Sequence, residues 1–243
     1  MEITPDRIIV AEVFGFELNA TIVWTWVVMA VLVAVSLIAT HNVRDRLVPS
    51  RWQMLLETII EETRRQIREV SQSDASTYLP FIGTLFLFIA TANLFAIVPG
   101  YAPPTGSLST TTALAIAVFV AVPLYGIADR GMGGYLKNYI QPTPFMLPFN
   151  IIGEISRTLA LAIRLYGNVM SGAVIAGILI SVAPFFFPIV MHLLGLLTGL
   201  IQAYIFAILA MVYIASATGE RTAGGQEGGG GDIPEKSEAR GTT

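Results

Sequence analysis

The chain has 243 residues, of which 54% are hydrophobic and 13% are charged. That charged fraction is about half of what soluble domains carry, so the composition excludes a soluble globular protein and indicates a polytopic membrane protein. The absence of cysteine excludes a disulfide framework, a thiol nucleophile and a thiolate metal site. The net charge of −3 gives no reason to expect nucleic-acid binding.

The N-terminal part predicts one transmembrane span after a short lead. Residues 1–19 are polar or mixed, and the first predicted span covers residues 20–40. The acidic start and the length of the apolar run argue against a cleavable signal peptide. Arg44, Arg46 and Arg51 follow the span, so the positive-inside rule places this loop in the cytoplasm and the N-terminus outside.

A charged amphipathic helix is predicted at about 51–70. Apolar residues recur there at helical spacing between positions 52 and 70, with Glu and Arg mostly on the opposite side. The segment is too charged to span a membrane, so we expect it to lie flat on the cytoplasmic surface. A helix packed on a soluble partner domain is the alternative interpretation.

Four further spans are predicted at 79–98, 110–128, 149–182 and 189–217. The second and third are joined by an uncharged loop, and we expect Pro123 to kink the third. Asp129, Arg130 and Lys137 indicate a cytoplasmic loop before the fourth. The stretch 184–188 is predicted to form the turn between the last two.

The predicted fold is an all-α membrane protein with five transmembrane helices and one amphipathic surface helix. The fourth apolar run would be about 50 Å long as a helix, against a hydrocarbon core of about 30 Å. The last two helices are therefore expected to form a long, steeply tilted hairpin. Residues 219–243 are Gly-rich and polar, which predicts a disordered cytoplasmic tail.

Arg164 is the only Asp, Glu, Lys or Arg between positions 158 and 219. An arginine at the centre of a membrane span costs about 2.5–3.5 kcal/mol even on lenient insertion scales. Such a residue indicates a functional site whose guanidinium faces water, a carboxylate or another subunit. Arg157, nearer the start of the run, can instead reach the interface by snorkelling.

Polar residues share one face of the fourth predicted span. Arg157, Arg164, Asn168 and Ser171 are separated by seven, four and three residues, which is helical spacing. Glu154 lies on the same turn as Arg157. The sequence therefore predicts one polar stripe along this helix.

The last predicted span carries a second stripe, formed by His192, Gly195, Thr198, Gly199 and Gln202. The GxxxG spacing of the two glycines permits close approach of two helices, although this motif is common in packed bundles. Gln202 is a candidate hydrogen-bond partner for the arginine of the preceding span or for its counter-ion. An ordinary polar contact between helices explains Gln202 equally well on spacing alone.

An arginine side chain stays protonated, so Arg164 cannot itself relay protons. It can act as a fixed positive charge that keeps a mobile carboxylate ionised. Apart from Glu154 at one end, no Asp or Glu lies near it in the predicted spans. The carboxylate is therefore expected to come from another chain.

Several segments resemble subunit a of the F-type ATP synthase membrane sector. The strongest matches are AIRLYGN at 162–168 and QAYIF at 202–206. Positions 93–94, 130–135 and 141–142 match as well, in the same order along the chain. The resemblance runs from the first span to about position 216.

This resemblance implies a non-catalytic stator subunit in a bacterial plasma membrane, packed against a rotating ring of c subunits and accompanied by b-type stator subunits. Two offset half-channels would bring H⁺ or Na⁺ to and from a ring carboxylate, without a cofactor or metal. Arg164 would be the essential stator arginine. Asn168 and Gln202 would line its surroundings, and Glu154, Ser156 and Arg157 would border the cytoplasmic half-channel.

Three positions depart from the family pattern where relatives often carry titratable side chains. Ala173 lies nine residues after the arginine, Gly195 lies seven before the glutamine, and Ala96 lies three after Asn93. The outer path therefore lacks the usual titratable groups, and the coupling ion stays open between H⁺ and Na⁺. His192 is a candidate replacement, or a water-facing residue at the outer interface.

The other candidates for the outer path are Ser171, Thr198 and Asn168. A rival interpretation is a secondary transporter with Arg164 as the counter-ion of a substrate or carboxylate. Such folds usually contain repeated hairpins or a broken helix at the bilayer midplane, and the sequence shows neither. A purely structural membrane anchor leaves Arg164 unexplained.

Overall fold

The computed structural model describes residues 9–13, 16–41, 75–98, 100–140, 145–182 and 187–218, and separate positions between 54 and 69. Five of its helices are long and apolar enough to cross a membrane. They are α1 (Ala20–His41), α2 (Ala75–Leu94), α3 (Leu108–Ile140), α4 (Met146–Val182) and α5 (Phe187–Thr218). The prediction of an all-α membrane protein with five long apolar helices is confirmed.

A short antiparallel hairpin precedes α1. Its strands are β1 (Ile9–Val13) and β2 (Phe16–Asn19), paired with Val13 opposite Phe16. This hairpin was not predicted from the sequence, because strands of four and five residues offer too little alternation to recognise.

The described positions between 54 and 69 are helical. Their exposed side chains form ion pairs: Arg64–Glu61 at 3.5 Å, Arg65–Glu62 at 2.7 Å and Arg68–Glu61 at 3.2 Å. Exposed pairs of this kind each contribute about 0–1 kcal/mol, so they mark a solvated face and are a minor source of stability. The apolar face predicted for this helix lies outside the described residues.

Helices α2, α3, α4 and α5 pack around one apolar core, and α1 packs on α2. The largest fully buried side chains of this core are Ile82, Ile89, Val118, Leu161, Leu165, Phe206, Met211 and Ile214. The outward faces also carry aliphatic side chains, among them Leu37 on α1 and Leu193 on α5. Apolar residues on both faces are typical of helices that the hydrocarbon core of a bilayer surrounds.

Helix α3 is interrupted at Gly131, whose backbone has φ 73° and ψ 163°. Glycine adopts this conformation readily because it has no Cβ. Beyond the break, the ring of Tyr135 lies so close to Gly126 that a Cβ added there would stand 2.7 Å from two ring carbons. The sequence predicted a kink at Pro123 and a cytoplasmic loop that begins at Asp129 and runs through Pro148. The first part of that connection is helical on both sides of Gly131, as far as Ile140, and positions 141–144 lie outside the described residues.

The last two helices are long, as predicted. Helix α4 has 37 residues and α5 has 32. Their lengths, about 55 Å and 48 Å, exceed the hydrocarbon core of about 30 Å, so they must tilt or extend along the surface. Helix α5 begins at Phe187, inside the predicted turn at 184–188. Pro148 and Pro188 fall in the first turns of their helices, where a backbone N–H would have no partner within the helix.

Candidate functional site

Arg164 lies near the middle of α4 with an exposed side chain, beside the exposed apolar Ile163. Its neighbours one turn away on the same face are short: Ala160 and Gly167. Within the described part of the chain, Arg164 makes no hydrogen bond and no ion pair. Since a guanidinium carries five N–H donors, its acceptors must come from outside these residues.

Gln202 of α5 is 7% exposed, and its amide nitrogen Nε2 is buried without a hydrogen-bond partner among the described residues. Leaving such a donor unsatisfied costs about 1–3 kcal/mol. Arg164 can only donate and would need Oε1 of Gln202, but no hydrogen bond joins these two described residues. A counter-ion from another chain, shared by Arg164 and Gln202, stays a prediction. The guanidinium of Arg164 and Nε2 of Gln202 both lack a hydrogen-bond acceptor among the described residues, and such a counter-ion would supply one.

The first half of α4 carries the other three residues predicted for the ion path. Arg157 and Ser156 are exposed, and Glu154 is partly buried. The guanidinium carbon of Arg157 lies 5.6 Å from the centroid of the Tyr213 ring on α5, which is a cation–π contact. Arg157 of α4 thus contacts α5 through Tyr213, and this contact was not predicted from the sequence.

A cavity of about 220 Å³ lies between α4, α5 and the segment that joins α2 to α3. Asn168 and His192 both line it, so the structure brings these two predicted residues together. Its wall also contains Ala96, Ala173 and Gly195, the three positions at which the chain departs from the family pattern. Their small side chains leave the space open, with room for several water molecules.

The described residues that line this cavity include no Asp, Glu, Lys or Arg. Its titratable side chains are those of His192 and Tyr101. An ion in this space would therefore meet water, amides and one imidazole in place of a carboxylate.

The wall of the cavity is fixed by a buried polar clamp between α2, α5 and the joining segment. Nδ2 of Asn93 donates to the backbone oxygen of Gly199 at 3.1 Å, and Oγ1 of Thr105 donates to Oδ1 of Asn93 at 3.1 Å. A Cβ added at Gly199 would lie 2.9 Å from Cγ of Asn93, whereas one added at Gly195 meets nothing within 4 Å. Only one glycine of the GxxxG pair is therefore a close contact, and the other opens the cavity.

Tyr101 anchors the joining segment. Its hydroxyl donates to the backbone oxygen of Ala92 at 2.9 Å, and its ring packs edge-on against Trp24 and Phe95 at centroid distances of 4.9 Å and 6.0 Å. Burial raises the pKa of Tyr101 above its ordinary value, so the hydroxyl stays protonated and keeps donating. Tyr101 and Thr105 were not predicted as site residues, and their only signal in the sequence is the uncharged, proline-containing loop in which they lie.

Ser171 and Thr198 use their hydroxyl protons within their own helices. Oγ of Ser171 donates to the backbone oxygen of Asn168 at 3.2 Å, and Oγ1 of Thr198 donates to that of Leu194 at 3.0 Å. Neither residue lines the cavity. The structure thus separates these two candidates from Asn168 and His192.

A family model described as ATP synthase A chain matches residues 22–215. The chain is 61% identical over 218 residues to a protein named ATP synthase subunit a from Albidiferax ferrireducens, an alignment covering 90% of this chain and 94% of that protein. It is 60% identical over 218 residues to ATP synthase subunit a 2 from Acaryochloris marina, covering 90% and 93%. It is 57% identical over 221 residues to ATP synthase subunit a 1 from Chlorobium luteolum, covering 91% and 99%. This multi-pass membrane protein therefore belongs to the ATP synthase A chain family.

Proposed function

We propose that the chain is the stator subunit of a rotary F-type ATP synthase, with Arg164 as the fixed charge past which the c-subunit ring turns. The observation that carries this proposal is an exposed guanidinium at the middle of α4, with no partner among the described residues. A carboxylate on the ring supplies the missing acceptor. The test is ATP-driven ion pumping by the complex carrying Arg164→Ala.

The arginine has two tasks in this mechanism. It attracts the ring carboxylate once that group has released its ion, because an opposite charge favours the ionised form. Since the guanidinium keeps its own proton, it cannot pass an ion directly between the two half-channels. Ions therefore cross only by riding the ring, and rotation stays coupled to transport.

The face of α4 around Arg164 suits a moving partner. Ala160, Gly167 and Ser171 are short, so they leave room for a passing helix, and Ile163 adds exposed apolar surface. The buried donor of Gln202 supplies a second site for an acceptor. The proposed partners are the c-ring at this face, b-type stator subunits, and the remainder of the synthase.

We assign the cavity beside Asn168 and His192 to the outer half-channel, and the region of Glu154, Ser156 and Arg157 to the cytoplasmic one. Along α4, the cavity residue Asn168 and the group around Glu154 lie on opposite sides of Arg164. This arrangement is what two offset access paths require. The uncharged cavity lining is compatible with H⁺ moving along water or with passage of hydrated Na⁺.

His192→Ala separates these two ions. If H⁺ passes by way of this imidazole, which can accept and donate a proton, the variant loses most ATP-driven pumping. If the ion is Na⁺, pumping requires sodium and the variant keeps its activity. The measurement is pumping by inverted vesicles with and without sodium.

Leu193→Ala is the matched control for that experiment, because Leu193 is the exposed neighbour on the same helix. Full activity of His192→Ala without any sodium dependence excludes the relay role. In that case water and Asn168 would carry the outer path.

We infer that the chain lies in a bacterial plasma membrane with its N-terminus outside and its C-terminus in the cytoplasm. The arginines after α1 and an odd number of spans support this orientation. A cysteine placed at Ser237 is expected to resist a membrane-impermeant maleimide in intact cells and to react after permeabilisation. Equal labelling in both conditions would contradict this orientation.

A secondary transporter that uses Arg164 as a counter-ion is the second candidate function. Membership of the ATP synthase A chain family speaks against it. In addition, α4 is continuous from Met146 to Val182, with no break at its midplane.

A further inference from the structure

We propose that Arg157, held in place by Tyr213, is a second fixed positive charge that sets the apparent affinity of the cytoplasmic half-channel for the coupling cation. This inference rests on the proposed stator function and on the orientation given above. It assigns a role to a contact between α4 and α5 that the stator mechanism itself does not use.

Arg157 is placed on the same face of α4 as Arg164. Seven residues separate them, which is two helical turns and about 10 Å of rise. Its side chain is exposed, yet the ring of Tyr213 lies 5.6 Å from its guanidinium carbon. A cation over an aromatic face is attracted by about 0.5–1 kcal/mol at exposed sites and by more where water is excluded.

The contact with Tyr213 fixes the position of the Arg157 guanidinium. A long, flexible arginine near the end of a span would otherwise move its guanidinium out towards the headgroups. The aromatic ring belongs to a different helix and is partly buried, so it holds the guanidinium between α4 and α5. The positive charge thus stands beside the path that an ion takes between the cytoplasm and Arg164.

A fixed positive charge lowers the local concentration of cations. A unit charge about 7 Å from the path changes that concentration about threefold in water, and more in a less polar surrounding. Glu154, partly buried one turn away, and Asp129, exposed in α3, act in the opposite sense. On α5, the described titratable side chain nearest to this level is Tyr213 itself.

Compared with a neutral side chain at position 157, the charge therefore weakens ion uptake from the cytoplasm and helps ion release into it. Release into the cytoplasm is the step that ATP synthesis needs, whereas uptake from it is the step of ATP-driven pumping. Arg157 thus favours synthesis over pumping at low ion concentration.

The experiment uses the complete complex in inverted vesicles, whose outer medium contacts the cytoplasmic half-channel. ATP-driven pumping is measured against the pH and the sodium concentration of that medium. The variants are Arg157→Gln, which removes the charge, and Tyr213→Leu, which removes the ring. Arg157→Lys and Tyr213→Phe are their matched controls, since each keeps a cation over an aromatic face.

Arg157→Gln is expected to reach half-maximal pumping at an ion concentration about threefold to tenfold lower than that of the wild type. Tyr213→Leu is expected to shift the half-maximal ion concentration in the same direction by less, because the charge of Arg157 remains but is no longer held in place by the ring. The two controls should match wild type. The shift should shrink as ionic strength rises, because mobile ions screen an exposed charge.

A wild-type ion dependence in Arg157→Gln overturns the inference. So does a lower maximal rate without any shift, which would indicate a merely structural contact. The outcome is separable from the stator proposal through Arg164→Ala. If that variant is inactive while Arg157→Gln shows no shift, only the role of Arg157 fails; if Arg164→Ala still pumps, the stator function itself fails.

Discussion

Arg164→Ala is expected to reduce ATP-driven ion pumping to background while the complex stays assembled. Without the positive charge, nothing at the middle of α4 attracts the ionised ring carboxylate or separates the two half-channels. Folding should not suffer, because the side chain is exposed and makes no hydrogen bond or ion pair with the described residues. The measurement is pumping by inverted vesicles, normalised to the amount of complex in the membrane.

Arg164→Lys is also expected to lose most ATP-driven pumping, since a compact ammonium lacks the planar fork of donors and can lose its proton when desolvated. Arg68→Ala is the control for the loss of an arginine, because the ion pair between Arg68 and Glu61 is exposed and contributes little to stability. Coupled pumping by Arg164→Ala above background would remove the stator-arginine proposal altogether.

Gly199→Ala is expected to have the second largest effect, through the fold. Its new Cβ would stand 2.9 Å from Cγ of Asn93, an atom that cannot swing away because two hydrogen bonds hold the side chain. Overpacking of this kind costs about 1–3 kcal/mol, and the displaced amide would release Thr105. We expect less assembled complex and a lower unfolding temperature in detergent.

Gly195→Ala is the matched control, one turn earlier on the same helix. A Cβ there meets nothing within 4 Å, and alanine favours a helix over glycine by about 1 kcal/mol, so stability should stay equal or rise. If the two variants have the same unfolding temperature and the same assembly, the clamp between Asn93 and Gly199 does not stabilise the fold.

The sequence predicted the number and order of the long helices, because an apolar run of some 20 residues has one stable form in a bilayer. It also singled out Arg164, whose charge is conspicuous in an uncharged stretch. It also named Asn168 and His192 as candidates for the outer path. These features depend on composition and local spacing, which a sequence displays directly.

Contacts between distant segments could not be predicted in the same way. Thr105 and Asn93 are hydrogen-bonded across a turn, and Asn93 reaches Gly199 across 106 positions of sequence. The break at Gly131 was not predicted from the sequence, where Pro123 is the more visible interruption; the backbone at Gly131 has a positive φ, which glycine adopts readily. The contacts of Asn93 depend on packing between elements, for which no local pattern exists.

The exposed guanidinium of Arg164 also constrains how the protein is made. Until a partner covers it, a newly inserted chain keeps an arginine against lipid, at a cost of about 2.5–3.5 kcal/mol or more. This cost is avoided when the carboxylate-bearing ring is already present as the chain leaves the insertion machinery. The exposed arginine therefore favours synthesis of the ring before this chain.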